Sequence, residues 1–177
     1  MENYNKNLKL LENNHVYSKE MEHDACGVGV IASTEGKKSR QIVEYGIEAL
    51  KAVWHRGAVD ADGKTGDGAG IHLEIPSDFF SEKIELTGHK HDDSEICVGM
   101  IFLPRNNYAA QENSRTLVES ELTKSNFNIY GWRQVPVNPK VLGEKANFTR
   151  PEITQVLFKH NNKNLIGKDL ERKIYES

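Results

Sequence analysis

The sequence lacks an excess of basic residues and any long apolar run. Its 23 Lys and Arg stand against 26 Asp and Glu, which gives a net charge of −3. Because no basic run could neutralise a row of phosphates, this composition argues against a nucleic-acid partner. No apolar stretch approaches the roughly 20 residues of a membrane helix, and residues 1–25 hold no apolar core of signal-peptide length. We therefore expect a cytoplasmic protein without a nucleic-acid or membrane partner.

Cysteine is also scarce, since the sequence contains only Cys26 and Cys97. A reducing cytoplasm disfavours a disulfide between them. Cys97 lies in the apolar run 96–103, so we interpret it as a residue of a core strand. The segment His89–Asp93 holds possible metal ligands, but no Cys or His partners follow at zinc spacing. A polar surface loop is the better interpretation, and we predict no metal site.

The chain does contain enough apolar material, 37% of 177 residues, for one domain with a core. The polar, Asn-rich residues 1–22 are typical of a disordered or weakly helical leader. Periodicity predicts strands over 26–33, Ile71–Ile75, Glu95–Leu103, 127–135 and Ile153–Phe158, and helices that begin near Ser39, Ser77, 107, Asn138 and Lys168. Interleaved strands and helices indicate a mixed α and β domain. The last helical pattern reaches Ser177 without a capping glycine, which suggests a truncated chain.

The segment His23–Val30 carries the strongest chemical signal, because Cys26 is followed at once by Gly-Val-Gly. Cleavage of the bond between Ala25 and Cys26 would free an α-amino group, whose ordinary pKa is about 7.7–8.0. Nucleophile and base would then belong to one residue. A lone cysteine beside glycine is also typical of a small buried apolar side chain, so the motif alone leaves both interpretations open.

Further segments extend this signal along the chain. They are EHDACGVGVIAS at 22–33, WHRGA at 54–58, DADGKTGDGAG at 60–70, GWRQVPVN at 131–138, VLG at 141–143 and PEITQ at 151–155. In order and spacing they resemble the glutaminase domain at the start of the glutamate synthase large subunit. That domain is a class II glutamine amidotransferase of the N-terminal-nucleophile hydrolase type. The resemblance runs from about residue 15 to the end of the chain.

The resemblance implies an α+β fold, the four-layer αββα sandwich of N-terminal-nucleophile hydrolases, of which this chain holds about the first half. It implies a propeptide at 1–25 and an incomplete amidotransferase domain at 26–177. Cys26 would be the catalytic nucleophile. Arg56 and Gly57 would support it, the arginine by fixing its position and favouring the thiolate.

The implied substrate is L-glutamine, which would be hydrolysed to glutamate and ammonia. In the whole protein the ammonia would pass to 2-oxoglutarate to form glutamate, with reductant from a small subunit or from ferredoxin. No cofactor is implied in this segment, whereas FMN and an iron–sulfur cluster are implied for the full-length protein. The oxyanion-hole Asn-Gly pair and the glutamine-binding residues are expected beyond Ser177, so we expect the isolated chain to be inactive.

A different class of function stays open beside this one. The chain could be a non-catalytic binding or regulatory domain, or a degenerate fragment that retains half of the amidotransferase fold. A nucleotide site is not expected, because the glycine-rich stretch 57–70 fits neither the nucleoside-triphosphate loop nor the dinucleotide fingerprint. Cleavage of the chain directly before Cys26 would favour the interpretation as an enzyme over the interpretation as a non-catalytic binding domain.

Overall fold

The computed structural model describes residues 6, 9, 10, 13, 14, 27–53, 57–92 and 94–177. The chain divides into two compact units, residues 1–57 and residues 58–177. The first unit contributes the helix α1 (Arg40–Ala52). The second contributes α2 (Ser77–Glu85), β1 (Cys97–Leu103), α3 (Tyr108–Lys124), β2 (Phe127–Gln134), a 3₁₀ turn (Pro139–Val141), α4 (Glu144–Thr149), β3 (Glu152–His160) and α5 (Gly167–Tyr175). A mixed α and β fold is thereby confirmed.

Helix α1 begins where the sequence predicts it. The Ser39 hydroxyl accepts a hydrogen bond from the Ile42 backbone N–H at 3.4 Å, which satisfies one of the free donors at the start of the helix. The apolar positions recur at helical spacing, yet they are only half-buried and no residue of α1 is fully buried. The helix ends at Ala52. The predicted extension through Trp54 lies partly outside the described residues.

The second unit is built on a three-stranded antiparallel sheet in the order β1-β3-β2. Residue Cys97 pairs with Phe158 and Leu103 pairs with Glu152, so β1 is in full register with the central strand. In β2 the register shifts between Ile129 and Gly131. Gly131 has a φ of 148°, and a Cβ at this position would lie 3.0 Å from the Thr87 methyl group. Glycine therefore allows both the irregular backbone and its close approach to the end of α2.

Helices cover both faces of this sheet. Neighbouring side chains of β3 point to opposite faces, so each face has its own core cluster. Val156 and Phe158 belong to the core with Leu122 of α3 and Leu170 of α5. On the other face, Leu157 is fully buried in a separate cluster. The partners of Leu157 there are Phe80 and Ile84 of α2, together with Ile96 and Tyr130. The predicted core position of Cys97 is confirmed, since its thiol is free and buried.

Two predicted strands are wrong. Residues 27–33 and 71–75 form no ladder, although their apolar patterns favour one. Val28 and Val30 are 90% and 87% exposed, and Ile71, Leu73 and Ile75 are 37–44% exposed. The physical reason is that a strand needs a hydrogen-bonded neighbour, and alternation in the sequence does not provide one.

The other predicted elements are present with small shifts at their ends, whereas helix α4 (Glu144–Thr149) has no counterpart among the predictions. The Asn138-Pro139 helix entry is present as a single 3₁₀ turn, in which the Asn138 side chain accepts from the Lys140 N–H. Within the described residues the sheet is single, so the four-layer sandwich stays a prediction. No described helix has the length and apolar character needed to cross a membrane.

The segment before β1 is a polar loop, as predicted, and Asp92 ties it to the central strand. Its carboxylate lies 2.7 Å from Lys159 Nζ and 2.8 Å from Lys163 Nζ, and it also accepts from the Ser94 hydroxyl. These donors hold the Asp92 pKa far below its usual range. Tyr130 donates to the same carboxylate at 3.5 Å. Burial, with the Asp92 charge as a second cause, raises the pKa of Tyr130 to about 12.

We expect Asp92→Asn to lower the free energy of unfolding by about 1.5–3 kcal/mol at neutral pH, because a charged acceptor is lost. The carboxylate has a depressed pKa in the folded state, so its contribution is complete above pH about 4 and falls as the pH drops further. Urea unfolding at pH 7 and pH 3 measures both effects. The matched control is Glu121→Gln, which breaks an exposed ion pair with Lys124. Its free energy of unfolding should change by no more than about 0.5 kcal/mol. An equally stable Asp92→Asn protein would contradict this role.

Candidate functional site

The structure places the predicted site residues unequally. Cys26 and Arg56 lie outside the described residues, whereas Gly57 is exposed and sits at a bend at the end of the first unit. Gly27 and Gly29 are exposed as well, and a Cβ at either would meet no atom within 4 Å. The proposed roles of Cys26, Arg56 and Gly57 therefore stay predictions.

Of the two cysteines, Cys97 is unsuited to nucleophilic chemistry. Its side chain is buried in β1, and burial raises the pKa of its thiol to about 12. At neutral pH such a thiol carries almost no thiolate, which is the reactive form. If this chain has a nucleophilic cysteine, it is Cys26.

The segment that follows Gly57 is an ordered narrow loop, where the sequence predicts only an irregular one. Val59 and Gly66 form an isolated antiparallel bridge. The Asp60 N–H donates to the Thr65 carbonyl at 2.7 Å. At the base of the loop, the Asp67 carboxylate accepts from the Ala58 N–H at 2.8 Å. These bonds close the loop directly after the predicted Arg56-Gly57 pair.

Asp62 organises the tip of this loop. Its carboxylate accepts from the backbone N–H groups of Lys64 and Thr65, at 2.9 and 2.6 Å, and from the Thr65 hydroxyl at 2.5 Å. The Thr65 hydroxyl and these backbone bonds hold the Asp62 pKa well below its usual range. Gly63 has a φ of 69°, the left-handed conformation that glycine adopts at little cost. Asp followed three residues later by Thr is a sequence signal for such a turn, and it could have revealed this one.

The loop docks on residues some 80 positions later in the chain. The Thr65 hydroxyl accepts from the Ala146 N–H at 3.4 Å, and Lys145 Nζ lies 2.7 Å from the Asp60 carboxylate. A Cβ added to Gly143 would collide with the Thr65 hydroxyl and the Asp62 carboxylate. Only glycine permits this approach. The structure thus joins the DADGKTGDGAG and VLG segments, which are far apart in the sequence.

A second pair of these segments meets across the sheet. Arg133 of β2 is the register partner of Gln155 in β3, and its Nη1 donates to the Gln155 side-chain oxygen at 2.6 Å. The Trp132 indole N–H donates to Glu119 of α3 at 2.6 Å. The guanidinium of Arg115 lies over the same Trp132 ring at 5.7 Å. The GWRQVPVN and PEITQ segments therefore fix the position of strands, while the buried Thr154 hydroxyl of PEITQ has no hydrogen-bond partner among the described residues.

The cleft at the docked loop is poorly suited to a phosphate group. It has a volume of about 250 Å³ and is lined by Ala58, Val59, Asp60, Thr65, Gly66 and Asp67. The N–H groups of Lys64, Thr65 and Ala58 already donate to aspartate carboxylates. The carboxylates of Asp60 and Asp67 line the cleft, and they would repel an anion. The absence of a nucleotide site in the glycine-rich stretch stays a prediction.

Comparison with protein families decides what kind of domain carries these segments. The family described as "Glutamine amidotransferases class-II" matches residues 26–177, which include all of the second unit. The match begins at Cys26. The chain belongs to the class II glutamine amidotransferases.

Individual relatives of this amidotransferase chain are glutamate synthases. It is 53% identical over 169 residues to the large chain of the NADPH glutamate synthase of Azospirillum brasilense. The matched stretch makes up 96% of this chain and 11% of that protein. It is 37% identical to the ferredoxin-dependent glutamate synthase of Pyropia yezoensis, with 94% of this chain and 11% of that protein covered. The chloroplastic ferredoxin-dependent enzyme of Spinacia oleracea is 37% identical over 155 residues, 87% of this chain and 9% of its own. The chain thus spans about a tenth of the length of these relatives. Since some relatives are chloroplastic, a cytoplasmic location stays a prediction.

The docked loop of the amidotransferase chain can be tested by Gly143→Ala. We expect it to lower the free energy of unfolding by about 1–3 kcal/mol, because the new methyl group overlaps Thr65 and Asp62. Amide hydrogen exchange at Lys64 and Thr65 should accelerate in the same variant. The matched control is Gly68→Ala in the glycine-rich segment 60–70, where a Cβ has no atom within 4 Å, and its free energy of unfolding should stay within about 0.5 kcal/mol of that of the original protein. If both variants behave alike, the close approach at Gly143 has no energetic role.

Proposed function

We propose that this chain is the glutamine-hydrolysing part of a glutamate synthase, with Cys26 as its nucleophile. The observation that carries the proposal is the family match that starts at Cys26, joined to 53% identity with a glutamate synthase large chain. The burial of Cys97 supports it, because no competing thiol is available. The substrate of the site is L-glutamine, and the product that leaves first is ammonia.

The reaction begins when the Cys26 sulfur attacks the side-chain amide carbon of glutamine. The free α-amino group of Cys26 takes the thiol proton and passes it to the departing nitrogen. The carbon–nitrogen bond breaks, ammonia leaves, and a thioester remains on Cys26. Water then cleaves the thioester, which gives glutamate and restores the thiol. In the whole enzyme the ammonia passes to 2-oxoglutarate.

Propeptide removal is part of this proposal. While Ala25 is attached, the Cys26 nitrogen is an amide, and an amide cannot accept a proton at neutral pH. We therefore propose that residues 1–25 are a propeptide and that residues 26–177 form the amino-terminal part of the amidotransferase domain. Arg56 and Gly57 support the nucleophile, and the arginine favours the thiolate through its positive charge.

The finer fold and the glutamine-binding groups belong to the same proposal. A four-layer αββα sandwich needs a second sheet, and the oxyanion-hole donors are expected outside these 177 residues. Two segments with strand-like patterns, 27–33 and 71–75, have exposed apolar side chains that a second sheet would cover. The isolated chain is therefore expected to hydrolyse little glutamine.

The cofactors proposed for the whole protein do not fit this segment. An iron–sulfur cluster is usually held by four cysteine thiolates, whereas this chain has two cysteines and one of them is buried with a raised pKa. The cleft at the docked loop is lined by carboxylates, which disfavours the phosphate of FMN. We place both groups, and the contact with ferredoxin or a small subunit, in other parts of the whole protein.

A chimera tests the proposed function. The 169-residue segment of the Azospirillum large chain that matches this chain is replaced by the corresponding residues of this chain. The chimera should form glutamate from glutamine, 2-oxoglutarate and NADPH, and its mature amino terminus should be Cys26. The competing function, a non-catalytic or degenerate domain, predicts a chimera that uses added ammonium but not glutamine and keeps its first 25 residues.

A further inference from the structure

Asp67 bonds to Ala58 at two points, at the base of the narrow loop that follows Gly57. The Asp67 carboxylate accepts from the Ala58 N–H at 2.8 Å. The Asp67 N–H donates to the Ala58 carbonyl at 3.3 Å. Because these two bonds engage the peptide groups on either side of Ala58, Asp67 restrains the backbone dihedrals of that residue.

The first of these bonds orients the peptide group that joins Gly57 to Ala58. A peptide group is planar and almost always trans, so its N–H and its carbonyl point in opposite directions. When the Asp67 carboxylate holds the Ala58 N–H, it therefore also sets the direction of the Gly57 carbonyl. The contact acts directly on one of the two residues that the family resemblance assigns to nucleophile support.

Gly66 allows Asp67 to approach Ala58 this closely. It forms the isolated bridge with Val59, and a Cβ at this position would lie 2.9 Å from the Ala58 carbonyl oxygen. Any larger residue would push the returning chain away from Ala58, because glycine alone permits so close an approach of backbone to backbone. Gly66 thus provides the space, and Asp67 provides the acceptor.

The bonds nearer the tip of the loop do not involve the peptide group of Gly57. The Asp60 N–H donates to the Thr65 carbonyl, and the Asp62 carboxylate accepts from backbone N–H groups at the tip. These bonds close the loop at positions further along the chain. Since they remain when the Asp67 carboxylate is removed, loop closure alone does not account for an acidic residue at the base.

We propose that Asp67 is a positioning residue for glutamine hydrolysis, which holds the Gly57–Ala58 peptide so that Arg56 and Gly57 can support the nucleophile. This inference rests on the proposed function, in which that support favours the Cys26 thiolate. In this role Asp67 contacts neither glutamine nor the sulfur. Because an electrostatic interaction weakens as the charges move apart, a displaced Arg56 favours the thiolate less.

Two substitutions of Asp67 in the chimera with the Azospirillum large chain test this role. Asp67→Ala removes the acceptor, whereas Asp67→Asn keeps a side-chain oxygen that can accept from the Ala58 N–H. We expect Asp67→Ala to lower kcat for glutamine-dependent glutamate formation about 10- to 100-fold and to change KM less than about threefold, because misplaced supporting groups affect the chemical step. Asp67→Asn should keep kcat within about threefold of the original value. Glutamate formation from added ammonium should be the same in all three proteins, since it does not use Cys26.

Two further variants separate positioning from damage to the loop. Asp62→Ala removes three bonds at the tip and leaves the base intact. It should lower the Tm of the chimera but keep kcat within about threefold of the original value. If Asp67 acts through Arg56, the effects of changing both residues are not additive. In an Arg56→Lys background, which lacks the planar guanidinium, Asp67→Ala should therefore lower kcat less than about threefold.

The positioning role is overturned on its own if the original chimera uses glutamine and Asp67→Ala has the same kcat. It is also overturned if Asp67→Asn or Asp62→Ala lowers kcat as much as Asp67→Ala does. Equal effects of Asp67→Ala with and without Arg56→Lys would show that Asp67 does not act through Arg56. A chimera that uses ammonium but not glutamine overturns the proposed function, and the positioning role with it.

Discussion

In the chimera with the Azospirillum large chain, we expect Cys26→Ala to abolish glutamine-dependent glutamate formation, with a loss of at least about a thousandfold. The reason is that, in the proposed mechanism, the thioester forms on the Cys26 sulfur, and the other thiol of the segment, Cys97, is buried with a raised pKa. Glutamate formation from added ammonium should continue, because it bypasses glutamine hydrolysis. The two rates are measured on the same enzyme preparation through the oxidation of NADPH.

Cys97→Ala is the matched control for this loss. It removes the other thiol of the segment and leaves a small cavity in the core, so it should lower stability while glutamine-dependent turnover persists. If Cys26→Ala retains glutamine-dependent activity, Cys26 is not the nucleophile. If Cys97→Ala alone abolishes that activity in a folded chimera, the assignment between the two cysteines is wrong.

A single residue left in front of Cys26 should almost abolish the reaction of its sulfur with glutamine. We expect a chimera that begins at Cys26 to react with a diazoketone analogue of glutamine at least about 100-fold faster than one that begins Gly-Cys26, because the extension turns the general base into an amide. In the labelling reaction sulfur bonds to the diazo carbon and dinitrogen leaves. The rate is followed by intact-protein mass spectrometry.

The Gly-Cys26 variant separates loss of the base from steric blocking by the full leader. Retention of residues 1–25 should be as damaging as the single glycine, since both remove the free amine. In the variant that begins at Cys26 the rate should rise as the pH passes about 7.7–8.0, the range in which an α-amino group loses its proton. Equal rates with and without the extension would show that the amine is not the base.

The sequence predicts those elements whose signals are local. Ser39 caps α1, and the apolar run around Val156 and Leu157 forms β3, because capping and strand-like runs act within a few residues. The strands predicted over 26–33 and 71–75 are wrong for the residues that the structure describes, because a ladder depends on a distant neighbour. The same limit explains why the contact of Asp62 and Thr65 with Gly143 was not predicted.

The site is less accessible to prediction than the fold. Cys26 and Arg56 were assigned through resemblance, and the family match supports the assignment of the domain without testing either residue. The ion pairs of Asp92 with Lys159 and Lys163 also escape prediction, because these lysines lie about 70 residues later. A carboxylate that binds distant lysines has no local signature.

One measurement tests most directly whether a cysteine with its own free amine carries the chemistry. The chimera is treated with the diazoketone analogue, digested and mapped by tandem mass spectrometry. We predict a single adduct on the Cys26 sulfur, in a peptide whose first residue is Cys26. An adduct on another residue, or on Cys26 with Ala25 still attached, would contradict it.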